Sequence, residues 1–595
     1  MTSTHPDSVR GLAARGGHTG TSRLQRPQAL LTISLEDYFH VGTFGSLIPR
    51  GQWYRFESRV EHGVARTLDL LDEQGATATM FVLGIVAERF PELVRAVRER
   101  GHEVASKGYQ HRAIHDLPPA ALADDLQRAR EAIEGATGEA VAGCRISGWL
   151  TPRDSWALDV MADHGYRYDS SMRPFLRSHA ELPGARRPHL HRADSMRSIW
   201  EIPVSSLSLL GYDLPLGGGN WMRQLPQTVV RRGIAHMAQA DAPVVLYFHS
   251  WELDPDQPRL DGASPLARLR HYRNLHRMPD RLRHYLGRFE CGSISTWLAA
   301  QTVPAESPPA RVVAPRRLSG QRTLGGPALV PPARDLPRVP VSVVISCFNE
   351  ARALPYLANT LQRLESSLGS AYDLRFVVVD DGSTDDTLVR ARSLFADWAN
   401  VTVARHERTR GQAAAILTGA LASTTEIVCT MDCDSRFDPH ELARMIPRLR
   451  GGVDLVVASP YHPDGVRRNV PSWQRALSTS LAFCYRSVLR QPLHCYTSSF
   501  GVYRRSRLLA LHVRRGGPVG ITEMLARLDL AGGTIVEHPV ALDARIFRRS
   551  RPRVARALVG HAGLLAELAW HRLRGGAQRR AVHARPARVI AQGGV

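Results

Sequence analysis

The chain all but excludes lysine. It holds 77 lysines and arginines together, and Lys107, in the stretch "VASKGYQHRAIHDL" from Val104 to Leu117, is the only lysine. Long apolar runs are missing too. No window approaches the ~18 unbroken apolar residues that a spanning helix needs, so a transmembrane segment is not expected. Residues 1–28, "MTSTHPDSVRGLAARGGHTGTSRLQRPQ", are polar and Gly/Arg-rich with no apolar stretch, which argues against a secretory signal. Cysteine is sparse: the seven thiols are scattered and form no CxxC pair. That argues against a disulfide framework and fits reduced thiols in a cytosol.

Acid is scarce where it would matter. The formal net charge is +21, and from Ile546 to Val595 eleven arginines face one acid, Glu567. No zinc-finger, RNA-recognition or helix-turn-helix signature accompanies this excess, so no nucleic-acid partner is expected. Two readings of the Arg-rich tail stay open: peripheral contact with an anionic membrane, or an arginine-rich composition expressed in a solvated segment.

A chain of 595 residues is too long for one core. Gln301 to Pro340 carries nine prolines and no amphipathic period, as a semi-rigid linker would. The expected order is a disordered N-terminus (1–28), a front domain (29–300), this linker (301–340), a back domain (341–553) and a basic tail (554–595). The fold class is α/β throughout.

In the back domain, "VSVVISCFNE", "LRFVVVDDGSTDDT" and "TEIVCTMDCDSRFDPHEL" are β-branched runs that each stop at carboxylates. Buried parallel strands read this way, and strands alternating with helices imply a doubly wound sheet whose ligands bind beyond the strands' carboxyl ends. Acids gathered at that edge call for a hard divalent cation and a nucleotide diphosphate. With "RGQAAAILTGALAST", "TSSFGVYRR" and "GITEMLARLDLAGGTIVEHPV", the motifs resemble family 2 glycosyltransferases of GT-A (Rossmann-like) fold over about Pro340 to Arg553. The resemblance implies that Glu350, Asp380 and Asp381 line the nucleotide pocket. It makes Asp432 and Asp434 a DxD motif, Asp434 touching Mg²⁺ or Mn²⁺, and Glu523 the general base. The donor would be a nucleotide sugar, and the acceptor a glycan or polyprenyl phosphate of bacterial surface polysaccharide synthesis. Thr409 and Cys433 depart from the family pattern without removing a required charge, whereas Met524 stands where the family often has an Asp after the Glu and bears on the assignment of Glu523 as base.

In the front domain, "ALLTISLEDYFHV", "HEVASKGYQH", "CRISGWLT" and "VVLYFHSWELDPDQPR" resemble NodB-homology polysaccharide deacetylases, carbohydrate esterase family 4, over about Ala29 to Arg259. The fold implied is a distorted (β/α) barrel, and the chemistry an Asp–His–His-bound ion such as Zn²⁺ that activates water. By motif, Glu36 is the base, Asp37 and His111 are metal ligands, Arg145 orients the base and His249 is the general acid. The first His of the family's His-x-x-x-His falls on Lys107. A lysine ammonium has three donors and no acceptor, so it cannot ligate a metal while charged. The front domain is therefore expected to be deacetylase-like but degenerate, with the Zn²⁺ site doubtful. The alternative is a bifunctional enzyme that also hydrolyses N-acetyl amide bonds, with His115 as a replacement ligand. The protein is expected to be cytoplasmic, or membrane-peripheral on the cytoplasmic face.

Overall fold

The structure, a computed structural model, describes residues 27–172, 186–192, 197–209, 212–239, 242–301, 337–434, 436–467, 470, 472–543, 546–547 and 554–583. The segment before residue 27, most of the proline-rich stretch and residues 584–595 lie outside the described residues. By internal contacts the chain divides into two compact units: Met1–Leu35, Val64–Leu253 and His276–Ala310 form one, and Glu36–Gly63, Asp254–Leu275 and Arg311–Val595 the other. No helix among the described residues is long and apolar enough to cross a membrane.

The first unit holds β1 (Gln28–Leu35), β2 (Thr79–Val82), β3 (Glu103–Ser106), β4 (Gly143–Cys144), β5 (Tyr168–Asp169), β6 (His189–Arg192) and β7 (Ser198–Glu201). A small ribbon of β8 (Leu207–Leu209) and β9 (Tyr212–Leu214) follows, then β10 (Val244–His249) and β11 (Glu290–Gly292). The main sheet runs β10-β1-β2-β3-β4-β5-β7-β6, with β11 also on β1, and is parallel except for β6–β7. β1, "QALLTISL", is buried along all but its first residue, the near-continuous apolar run of a strand covered on both faces. The Pro119–Thr137 helix returns the chain between β3 and β4 and stops at Gly138, which takes a left-handed cap at φ 73°. Among the described residues the sheet is an open path, so the expected barrel is present as its parallel wall and not as a closed ring.

The second unit holds β12 (Val339–Cys347), β13 (Tyr372–Asp380), β14 (Val401–Arg405), β15 (Ile427–Asp432), β16 (Val453–Ser459), β17 (Val466–Arg467), β18 (Gly501–Arg504), β19 (Thr534–Pro539) and β20 (Ala541–Leu542). Its main sheet runs β14-β13-β12-β15-β18-β16-β19, parallel except where β18 inserts antiparallel, as a doubly wound α/β sheet does. The core gathers sheet residues Val344, Val377, Val379 and Val457 with Ile416, Tyr485 and Met524 from the helices.

Two features differ from the expected layout. The segment expected as a tail from residue 554 is a helix over Val554–His583, and it buries Leu564 and Leu568 in the second unit's core. Glu36–Gly63, expected within the front domain, makes its packing contacts in the second unit. There Arg55, 1% exposed, donates to the Tyr356 hydroxyl at 3.0 Å and to Asp438 at 2.8 Å. Gln52 donates to Asp543 at 2.8 Å.

Candidate functional site

Register builds the second unit's site. On β12, Cys347 lies beside Asp380 of β13, and Ser346 lies beside Asp432 of β15. Asp380 and Asp432 thus end strands on either side of β12, two inter-strand spacings apart or about 10 Å. Asn349, at φ 55°, turns the chain just past β12 and presents Glu350. A cavity of about 240 Å³ opens here, lined by Asn349, Glu350, Arg352, Asp385, Asp261 and Phe547.

Each expected acid has its own environment. Asp380 accepts a long bond from the Ser383 N–H at 3.3 Å, while its buried Oδ2 has no hydrogen-bond partner among the described residues. A buried acceptor left open costs free energy unless a ligand donor fills it. Asp381 is engaged: it accepts the N–H groups of Arg410 and Gly411 at 2.8 and 2.9 Å and pairs with His406 Nδ1 at 2.7 Å. It therefore sutures the "RTRGQ" loop to the strand end. Gly382 must be glycine here, since at φ 69° an added Cβ would stand 2.6 Å from the Arg408 backbone. Asp432 is held by Gln412 and by the Ser499 hydroxyl at 2.7 Å. Asp434 is buried at 4% exposure. Cys433 between them is 1% exposed and hydrogen-bonds Cys347. That bond, reinforced by burial, pushes its thiol well above the usual range. The side chain between the two aspartates is therefore a neutral core thiol.

Glu523 stands apart from that acid row. On the Gly517–Leu530 helix it is fully buried, accepts the N–H groups of Arg514 and Arg515 at 3.2 and 2.7 Å, and meets Arg527 at 2.5 Å. Arg515 and Arg527 both continue to Glu567 on the C-terminal helix, at 2.7 and 3.2 Å. Its carboxylate is the hub of an ion network. Sequence reasoning missed Gln412, Ser499 and Glu567. The first two stand inside quoted motifs, whereas only the fold brings Glu567 across.

In the first unit the parallel strands carry the expected residues to one edge. Lys107 follows β3 directly, Arg145 follows β4 and His249 ends β10. Lys107 is 4% exposed and its N–H donates to the Val82 carbonyl at 2.7 Å. His111 is partly exposed in the following loop, and His115 is exposed. Arg145 is buried, donates to the Ser170 carbonyl and hydroxyl at 2.8 and 2.7 Å and lies over the Phe81 ring. Burial pushes its guanidinium down to about 10. Below His249, Glu252 accepts that residue's N–H at 3.0 Å and forms a wholly buried pair with Arg223 at 2.6 Å. The spacing of "HSWELD" only hints at this contact between Glu252 and the His249 backbone. Glu36 and Asp37, directly after β1, cluster with the other unit. Asp37 accepts the Ser58 hydroxyl at 2.6 Å and the Arg59 N–H at 2.7 Å. Among the described residues no group of three or more His, Cys, Asp or Glu side chains could hold a metal by itself.

Comparison with known proteins agrees with both halves. The family model for polysaccharide deacetylases matches residues 53–168, that for glycosyl transferase family 2 matches 342–509, and a domain of unknown function matches 170–299. The chain therefore joins a polysaccharide deacetylase domain to a family 2 glycosyltransferase domain. It is 29% identical over 222 residues to a polyprenol monophosphomannose synthase of Mycolicibacterium smegmatis, covering 36% of this chain and 81% of that protein. It is 33% identical over 173 residues to an undecaprenyl-phosphate 4-deoxy-4-formamido-L-arabinose transferase of Pseudomonas paraeruginosa, covering 29% of this chain and 49% of that one. The chain thus spans about half the length of the latter relative. Among solved structures it is similar to a glucosyl-3-phosphoglycerate synthase of Mycobacterium tuberculosis in complex with Mn²⁺, UDP and glucosyl-3-phosphoglycerate. That match has a TM-score of 0.30 and 22% identity, covering 39% of this chain and 79% of that one.

Proposed function

We propose that the C-terminal domain moves a sugar from a nucleotide-diphosphate sugar to a polyprenyl-phosphate acceptor in bacterial surface polysaccharide synthesis. The state of Glu523 carries this reading. A hydroxyl acceptor must lose a proton, and the general base expected for that task has its carboxylate bound by two arginines and two backbone N–H groups. A phosphomonoester needs no such base, because it is already ionised near pH 7, with a second pKa of about 6. The names of the relatives point the same way.

In this reading Asp380 Oδ2 takes an N–H of the nucleobase, Glu350 lines the nucleotide cavity and Asp381 holds the "RGQ" loop in position. Asp432, fixed by Gln412 and Ser499, faces the donor. Asp434 adds a hard oxygen ligand suited to Mg²⁺ or Mn²⁺. Among the described residues no set of three or more His, Cys, Asp or Glu could hold such an ion alone, so its binding would depend on the nucleotide sugar. Bound there, such an ion would neutralise the charge that grows on the departing diphosphate. A phosphate oxygen of the acceptor then forms the new bond at the sugar's anomeric carbon while the bond to the nucleoside diphosphate breaks. The test is release of nucleoside diphosphate from a panel of nucleotide sugars, with polyprenyl phosphate and Mg²⁺ or Mn²⁺ present. No release from any donor would overturn the proposal.

The deacetylase domain we read as degenerate. Lys107 brings a buried positive charge to the β3 edge where its family places a ligand. Metal analysis of the full chain, paired with an acetate-release assay on an N-acetylglucosamine oligomer, separates this from the bifunctional reading. Bound stoichiometric zinc together with released acetate would establish the latter. The Arg-rich segment beyond the core adds attraction to anionic lipid. Deleting residues 574–595 should then weaken vesicle binding at low salt only.

A further inference from the structure

The helices Ser472–Val488 and Val554–His583 pack together. The Tyr485 hydroxyl meets His561 Nδ1 at 2.9 Å, and Arg572 donates to the carbonyls of Ser487 and Val488 at 3.1 and 2.8 Å. Their inner faces place Ala482, Tyr485, Leu564 and Leu568 in the core. Their outer faces are also apolar. Phe483 is 75% exposed, Val559 73%, Trp570 56% and Trp473 48%.

Along the C-terminal helix the outward row is Ala555, Val559, Ala562, Ala566 and Trp570, at successive three- or four-residue spacings and all exposed. A helix bathed in water carries its polar residues on that side. Here the exposed charged residues on and just beyond the two helices are cationic, namely Arg475, Arg486, Arg490, Arg556 and Arg572, beside the uncharged Thr479, Ser480 and Ser487. The first helix has no acid, and the second has only Glu567, which is tied to Arg515 and Arg527.

We infer that this face seats the protein on an anionic bilayer, with Phe483, Val559 and Trp570 entering the headgroup–acyl boundary and the arginines meeting lipid phosphates. Aromatic and aliphatic anchors bordered by arginine, with no free acid on either helix, match a helix lying in the plane of a lipid interface. A water-filled contact would not use an exposed Phe–Val–Trp set, and an acidic protein partner would not need one. This inference rests on the acceptor reading in one respect, since a polyprenyl phosphate would be presented at such a surface. It differs from attraction by the Arg-rich segment, because apolar insertion survives salt.

The experiment is co-sedimentation of the full chain with vesicles of phosphatidylcholine alone or mixed with phosphatidylglycerol, at about 0.1 M and about 1 M salt. Binding should favour the anionic vesicles and leave a salt-resistant fraction. Phe483→Glu and Trp570→Glu, each at an exposed site, should each weaken that fraction by roughly tenfold or more, while Phe483→Trp retains it. Transfer to a short-chain polyprenyl phosphate in detergent should be unchanged in all three. The inference is overturned if the glutamate variants bind like the parent, or if about 1 M salt abolishes the parent's binding. It is equally overturned if light scattering finds a dimer that Phe483→Glu makes monomeric, which would assign the face to a second copy. Absent transfer in detergent with vesicle behaviour as expected would sink the acceptor reading and leave this one standing.

Discussion

Glu523→Gln keeps the shape of the side chain and removes its charge. In the folded protein the amide oxygen can still accept from the Arg514 and Arg515 N–H groups, but Arg527 loses its carboxylate at 2.5 Å and Arg515 the one at 3.8 Å. Removing one member of a fully buried pair costs ~3–5 kcal/mol. Both arginines are about a quarter exposed and keep Glu567, so we place the loss just below that range, at ~2–3 kcal/mol. For a domain of this size that is a fall of about 5–10 °C in Tm. Turnover with a polyprenyl-phosphate acceptor, measured as nucleoside diphosphate release below the new Tm, should drop less than about tenfold. The acid limb of its pH–rate profile should not move. A general base would behave in the opposite way, with unchanged Tm, a loss of about 10²–10⁴ in turnover and an altered acid limb. That second pattern would refute the reading of Glu523 as the hub of a structural ion network.

Asp434→Ala should abolish transfer and its divalent-ion dependence, whereas Asp432→Ala should mainly weaken nucleotide binding; titration with the nucleoside diphosphate and with Mn²⁺ tells them apart. Lys107→His in the full chain should create measurable zinc affinity by metal analysis, and Lys107→Met should lower stability by ~1–3 kcal/mol, as expected when the partner of a buried polar group is left unsatisfied. At Asp438, burial raises the carboxyl, but the His440 hydrogen bond and the Arg55 charge outweigh it and bring it down to about 2. Its contribution to stability is therefore present above the ordinary carboxyl value of about 4 and is lost as pH falls through about 2. Denaturation midpoints of Asp438→Asn should lie below the parent's at neutral pH and converge with them in acid, by a modest amount because Asp438 is 47% exposed.

The row of acids at the second unit's strand ends was legible because a strand's end is marked in sequence and parallel pairing carries such ends to one edge. Asp380 and Asp432 needed only the doubly wound order to become neighbours across β12. Glu523 was found as a residue but not as an environment. Its i,i+4 partner Arg527 was in view, while Glu567 comes from a helix that Gly560, Gly563, its many arginines and the lack of a one-sided apolar stripe disguise as a tail. The burial of Arg55 against Tyr356 and Asp438 joins residues some three hundred and more apart in the chain, and no local pattern announces it. Lys107 was conspicuous for the reverse reason. In a chain that otherwise uses arginine, the one lysine stands at a strand end where the family places a histidine ligand.

The central claim is that the acceptor arrives as an ionised phosphate, and one comparison tests it. With the donor that supports turnover, nucleoside diphosphate release is measured with a polyprenyl phosphate and with the polyprenol of the same chain length in the same detergent. The account predicts release with the phosphate and none above background with the alcohol. Equal release with the two, abolished in both by Glu523→Gln, would contradict it and return Glu523 to the role of base.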